Sequence, residues 1–140
     1  MKYDDDNRGK IQYHKRAKQM LDYSNLKYRN ITPSDIDGFF EYANKTFVFY
    51  EYKLNDAPIA KGQELAFTRV VDGLTDGGRN AIFFVCRHNE INPEKDINAA
   101  NAIVDKFYWN NKWYNGNGDT VKKFTDRFMK WSETLNKPLS

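Results

Sequence analysis

The sequence predicts an α/β fold: a single domain with a mixed central β-sheet flanked by helices. Three observations point that way. Two short runs, Phe47 to Lys53 and Ala81 to Arg87, are built mainly from the aromatic and β-branched residues of strands covered on both faces. The stretch between them carries apolar residues at helical spacing, so the three segments read as strand, crossover helix and parallel strand. The first run is also the second arm of a hairpin, and another aromatic hairpin follows the second run, which adds antiparallel strands.

Taken in order, residues 1–9, with Asp4-Asp5-Asp6, read as a mobile tail, and residues 10–140 as the domain. Residues 10–24 have the pattern of a basic amphipathic helix with Tyr13, Ala17, Met20 and Leu21 inward. Asp35 to Tyr42 and Thr46 to Leu54 are hairpin strands joined by Ala43-Asn44-Lys45. A helix over about 60–75, opened by Pro58 and Gly62, sets Ala66, Phe67, Val70, Val71 and Leu74 on one side, with Gln63 at the edge of the stripe. Asp76-Gly77-Gly78 is a turn, 81–87 a buried strand, and His88 to Asn98 a polar loop. Ala102 to Trp109 and Lys112 to Tyr114 pair across Asn110-Asn111. A last helix over about 120–134 places Val121, Phe124, Phe128 and Trp131 on one face.

At 140 residues and 16.5 kDa the chain can bury a single core. Its formal net charge of +3 is mild, with bases gathered near the N-terminus (Lys10, Lys15, Arg16, Lys18, Lys27, Arg29) and near the C-terminus (Lys122, Lys123, Arg127, Lys130). Such clusters suit a phosphate backbone, and they also suit solvated helix faces. No apolar run is long enough for a membrane span and there is no signal-peptide pattern, so a cytoplasmic protein is expected. Cys86, the one cysteine, reads as a buried thiol in a reducing compartment. His14 and His88, far apart and without cysteine partners, do not suggest zinc. Trp109, Trp113, Tyr108 and Tyr114 fit either stacking on unpaired bases or cross-strand packing.

Within the first apolar run stand an acid and a base, Glu51 and Lys53, on the same face as Phe47 and Phe49. Charge is expensive there. If the hairpin loop is three residues long, Tyr42 pairs with Thr46, Asp37 faces Glu51 and Asp35 faces Lys53. A two-residue loop sends the two acids to opposite faces. Opposed like charges destabilise a strand pair, so the odd loop makes sense with a cation between them. Mg²⁺ fits, because it accepts one or two carboxylates and takes its remaining oxygens from water and substrate phosphate.

Pro33-Ser34-Asp35-Ile36-Asp37-Gly38, Glu51-Tyr52-Lys53 and Gly62-Gln63 together resemble the PD-(D/E)xK nuclease superfamily, in particular its small Holliday-junction-resolvase-like branch from phages and archaea. The resemblance covers residues 31–75 with motifs and extends to the rest by order of elements. It implies a restriction-endonuclease-like domain that hydrolyses phosphodiester bonds in DNA, branched or otherwise structured DNA included. Asp37, Glu51 and the carbonyl of Tyr52 would ligate Mg²⁺, with Mn²⁺ as substitute. Lys53 would orient or activate the attacking water and Gln63 would support the site. Asp35 is the alternative upstream ligand. The branch also implies a possible homodimer in a bacterial cytoplasm. Family members often add a Glu from the first helix, and residues 10–24 contain none.

The residue types suit that chemistry, since a metal-bound water and a nearby ammonium together supply a nucleophile and stabilise the charge that builds on phosphorus. Two other classes fit the same sequence: a nucleic-acid-binding or inhibitory protein on this scaffold without turnover, and an interaction protein whose acidic hairpin is ordinary surface.

Overall fold

The two apolar runs lie side by side at the centre of a five-stranded sheet of order β1-β2-β3-β4-β5. The computed structural model describes residues 19–135. Its strands are β1 (Gly38–Tyr42), β2 (Thr46–Leu54), β3 (Asn80–His88), β4 (Ile103–Trp109) and β5 (Lys112–Asn115). Helix α1 (Lys61–Asp76) carries the crossover from β2 to β3, and α2 (Val121–Thr134) follows β5. β2 and β3 are parallel, and every other neighbour is antiparallel. The fold is therefore the α/β mixed sheet that the residue pattern predicts.

The alternation along β2 and β3 divides the core in two. Phe49, Ala81, Phe83 and Val85 meet Phe67 and Val71 of α1. Val48, Ile82, Phe84, Cys86 and Val104 meet Val121 and Phe128 of α2. Because both faces are covered, the central strands are apolar throughout instead of alternating with polar residues. Val70, expected on the buried side of α1, is 45 % exposed, because the helix covers the sheet with a narrower stripe through Phe67, Val71 and Leu74. The aromatics of the second hairpin are packed together: Trp113 meets the edge of Phe83, Trp109 meets Trp131, and the Tyr108 hydroxyl donates to Asp72 at 2.9 Å.

The first hairpin has the odd loop. Tyr42 pairs with Thr46 and Gly38 with Tyr50, while Lys45 N–H donates to the Tyr42 carbonyl at 3.0 Å. Ala43 and Asn44 both sit at φ 54°. Asn tolerates this left-handed region readily, whereas Ala is held there at a cost of about 1 kcal/mol. β1 begins at Gly38, not at Asp35, so Asp35 is outside the ladder and the expected Asp35–Lys53 pairing is not made. The reason is local: the carboxylate of Asp37 accepts Tyr52 N–H at 2.8 Å, taking the bond that a further strand residue would have made.

Two other features fix the frame. Gly116 N–H donates to the Asp105 carbonyl, and a Cβ at Gly116 would lie 1.8 Å from the Val104 carbonyl oxygen, so only glycine fits. At the opposite end of the strands a buried polar junction joins α2 to the sheet. The hydroxyls of Thr46 and Ser132 share a short hydrogen bond, the Asn80 carboxamide donates to Ser132 Oγ at 2.7 Å, and Lys45 Nζ donates to the Leu135 carbonyl.

By its internal contacts the chain divides into Met1–Ser34 and Asp35–Ser140, the latter being the α/β domain. In the first unit, residues 19–24 are not helical, which corrects the C-terminal part of the helix expected over 10–24; its remainder, like the tail at 1–9, lies outside the described residues. Met20 and Leu21 are exposed. Asp22 accepts the N–H of Ser24 and Tyr23 accepts that of Leu26, so turn bonds replace helical ones. A tight turn through Arg29 and Asn30, both left-handed, then bridges Tyr28 to Ile31.

Two substitutions test these restraints. Gly116→Ala, which meets backbone rather than a movable side chain, should cost about 3 kcal/mol or more. Ser132→Ala orphans Thr46 and Asn80 and should cost about 1–3 kcal/mol. Urea denaturation measures both, and a loss under about 0.5 kcal/mol, the range of neutral surface changes, would show the contact is not made.

Candidate functional site

Glu51 is the one charged residue fully buried in β2, at 3 % exposure. Its place follows from strand parity: it lies between Phe49 and Lys53 on the α1 face, paired in register with Val85 of β3. Lys53 Nζ stands 3.3 Å from Oε1, and Gln63, from the first turn of α1, donates its amide to Oε2 at 3.0 Å. The same amide lies 3.4 Å from the Asp35 carbonyl, which ties the segment before β1 to the helix start.

Asp37, the residue just before β1, closes the arrangement. The ladder pairs Phe39 with Phe49, so Asp37 shares their parity and meets the level of Glu51 on the same face. Burial raises the carboxyl of Glu51 above the ordinary range, the neighbouring Asp37 carboxylate adds to that rise, and Lys53 opposes it. Lys53 is thus the cation paired with Glu51, and the exposed Asp37 sets a second carboxyl beside it. A strand residue presents its N–H and C=O to the same edge, so the Tyr52 carbonyl lies on the edge where Asp37 takes the Tyr52 N–H.

The four residues Asp37, Glu51, Lys53 and Gln63 are therefore neighbours, and Asp35 reaches them through its backbone alone. Among the described residues no group of three or more His, Cys, Asp or Glu side chains converges, so a cation here would have two carboxylates and the Tyr52 carbonyl as its protein ligands. That donor set fits Mg²⁺, which keeps several waters and does not require a full protein cage. Cys86 and Tyr52 are poor nucleophiles: burial first, and then the neighbouring acidic groups, push the thiol and the phenol far above their ordinary values.

Two features beside it do not stand out in the sequence. Arg87, in register with Lys53, pairs with Asp105 at 3.2 Å and donates to the Ala57 carbonyl. Asp105 is turned toward it by a bulge, since Val85 pairs with Lys106 and Cys86 with Val104. Beyond the ends of β2 and β3 lies a cavity of about 370 Å³, walled by Asn55, by residues 87–90 and by parts of the loop that leads to β4 (residues 96–98 and 101–103). A polar, Asn-rich segment directly after a buried parallel strand was the available signal, because open α/β sheets bind ligands at that end.

Comparison with known protein families, with curated proteins and with solved structures found no match. No helix among the described residues is long and apolar enough to cross a membrane.

The electrostatics give a stability test. A carboxyl whose pKa is raised on folding favours the native state while protonated, and that contribution is lost as pH rises through the folded value. Metal-free protein should therefore gain stability as pH falls through the raised value of Glu51 toward the ordinary carboxylate range, until other carboxylates protonate. Glu51→Gln keeps the shape and removes one buried charge, so it should stabilise the metal-free protein by on the order of 1 kcal/mol and flatten this pH response. Thermal melts across pH in a chelator check both, and an unchanged pH response in Glu51→Gln would show that Glu51 does not titrate in this way.

Proposed function

We propose that this chain is a metal-dependent endonuclease that hydrolyses phosphodiester bonds in DNA by the PD-(D/E)xK mechanism, with branched or otherwise structured DNA among its substrates. The observation that carries the reading is the buried Glu51, held between Lys53 and Gln63 and repelled by Asp37. Setting the exposed carboxylate of Asp37 beside the buried one of Glu51, with one ammonium nearby, is unfavourable unless a cation completes the set. Asp37 and Glu51 would hold Mg²⁺ (or Mn²⁺) with the Tyr52 carbonyl, and the ion would lower the pKa of its water and screen the phosphate.

The chain's own residues have separable roles. Lys53, partly exposed beside Glu51, is positioned to hold the attacking water and to stabilise negative charge building on the phosphoryl oxygens. Gln63 fixes the rotamer of Glu51 and links it to the helix start. Arg87, one strand further along, is held by Asp105 and the Ala57 carbonyl and so anchors the end of β3 beside Lys53. The free thiol of Cys86 suits a reducing intracellular compartment.

A second reading, a DNA-binding or inhibitory protein without turnover, draws on one observation: both oxygens of Glu51 already have internal partners. Turnover decides between them. Purified protein incubated with labelled linear, nicked and branched DNA should cleave at least one of them with Mg²⁺ and none in chelator, and Glu51→Ala should be inactive. Cleavage by Glu51→Ala would end the assignment at this site; saturable DNA binding with no cleavage by any form would favour the second reading.

Lys53→Arg separates charge from chemistry. Arginine keeps the charge but is bulky and always protonated, whereas lysine is compact and its pKa shifts on burial. Turnover at saturating Mg²⁺ should fall by roughly a hundredfold or more, the scale for a positioned acid–base group. Binding of uncleaved DNA should change little. Near-normal turnover would reduce Lys53 to a counterweight for the two acids.

A further inference from the structure

We infer that the cavity beyond β2 and β3 receives an unpaired nucleobase bearing an exocyclic amine: adenine, cytosine or guanine rather than thymine or uracil. This deepens the nuclease reading and rests on it for the choice of a nucleic-acid ligand. The cavity's volume, about 370 Å³, falls within the rough 300–1,000 Å³ range of small-ligand sites. It lies at the carboxyl ends of the parallel strand pair, the usual ligand position in open α/β sheets.

Its wall is joined to the candidate catalytic residues in two ways. Arg87 lines the cavity and stands in register with Lys53, one strand spacing of about 4.8 Å away. The hydroxyl of Tyr52, the residue between Glu51 and Lys53, donates to the Ala99 carbonyl at 3.2 Å, holding the 3₁₀ turn Ala99–Asn101 that forms part of the wall. The cavity thus opens at the strand ends that carry Lys53 and Arg87.

The lining chemistry selects a base over a phosphate. Glu90 and Asp96 repel an anion but accept N–H donors, as carboxylates do from the amino group of cytosine. Asn55, Asn89 and Asn101 add donors and acceptors, and among the described residues none of these five side chains has a hydrogen-bond partner. His88 Nδ1 accepts Glu90 N–H at 3.2 Å, so the neutral ring carries its proton on Nε2 and can donate to a ring nitrogen or carbonyl. Ile97, Ala102 and Ile103 supply apolar surface for the base's face. Thymine and uracil have no amino group for the two carboxylates, which discriminates by hydrogen bonding rather than by size.

The test uses nucleosides, so neither phosphate nor cleavage enters. Backbone amide shifts of the full chain are followed by NMR in chelator while adenosine, cytidine, guanosine or uridine is added to millimolar levels. The amine-bearing nucleosides should shift His88, Asn89, Asn98 and Asn101 saturably, with uridine at least roughly tenfold weaker, the lower range for a lost bidentate contact. Glu90→Gln and Asp96→Asn, both surface changes, should remove most of that preference while the remaining spectrum stays superimposable. Glu51→Ala should leave nucleoside binding intact. No shift with any nucleoside, equal shifts with uridine, or a preference unaffected by both carboxamide variants overturns the inference. Because DNA cleavage is assayed separately, failure of the nuclease reading and failure of the base site are distinguishable.

Discussion

The pairing of β2 with β3 is the constraint on which the rest depends. Parallel neighbours cannot be joined by a tight turn, so the chain between them must travel the length of the sheet as a helix. That helix covers one face, and α2 covers the other. Once both faces are closed, every side chain along the pair must be apolar or internally bonded. Glu51 and Thr46 both obey it by internal bonding, Glu51 to Lys53 and Gln63 and Thr46 to Ser132. The position of the acid therefore has more meaning than its sequence neighbourhood: it lies where the sheet admits charge only with partners arranged around it.

Those partners come from three directions. The segment leading into β1 brings Asp37, β2 brings Lys53 two residues on, and α1 brings Gln63 as soon as the crossover begins. None depends on a long or unstructured loop. Asp37 serves two ends at once, completing the hydrogen bonding of Tyr52 where β1 stops and placing a second negative charge beside Glu51. The register that allows this rests on a loop in which Ala43 accepts an unfavourable backbone conformation. One residue fewer would have turned the acids to opposite faces.

Much of this could be read from the chain because the signals were local and strong. The runs around Val48 and Phe83 had one reading as covered strands, and Ala43-Asn44-Lys45 offered a countable loop. Thr120 caps α2 by accepting Lys123 N–H, and the helix bounds follow from it. What escaped was set by competition between bonding partners. Asp22 and Ser24 have side chains able to replace helical hydrogen bonds, which a count of apolar spacing ignores. Asp37 ended β1 early by capping Tyr52, so Asp35 never reached Lys53. The bulge at Asp105 and the cavity wall depend on contacts between distant segments, which no local pattern records.

The hydroxyl junction at the start of the sheet also bears on the order in which the molecule can be made. Thr46 and Asn80 leave the ribosome well before Ser132, their shared partner, has been joined to the chain. Until then the two polar side chains must keep their water, and the α2 face of the growing sheet stays uncovered. Phe84, Cys86 and Val104 on that face are fully enclosed in the finished protein. The α1 face has a shorter delay, since its buried residues are all synthesised by Val85 and Tyr108 and Trp113 follow well before α2. One side of the sheet can thus mature during translation, while the other waits for the last helix to emerge.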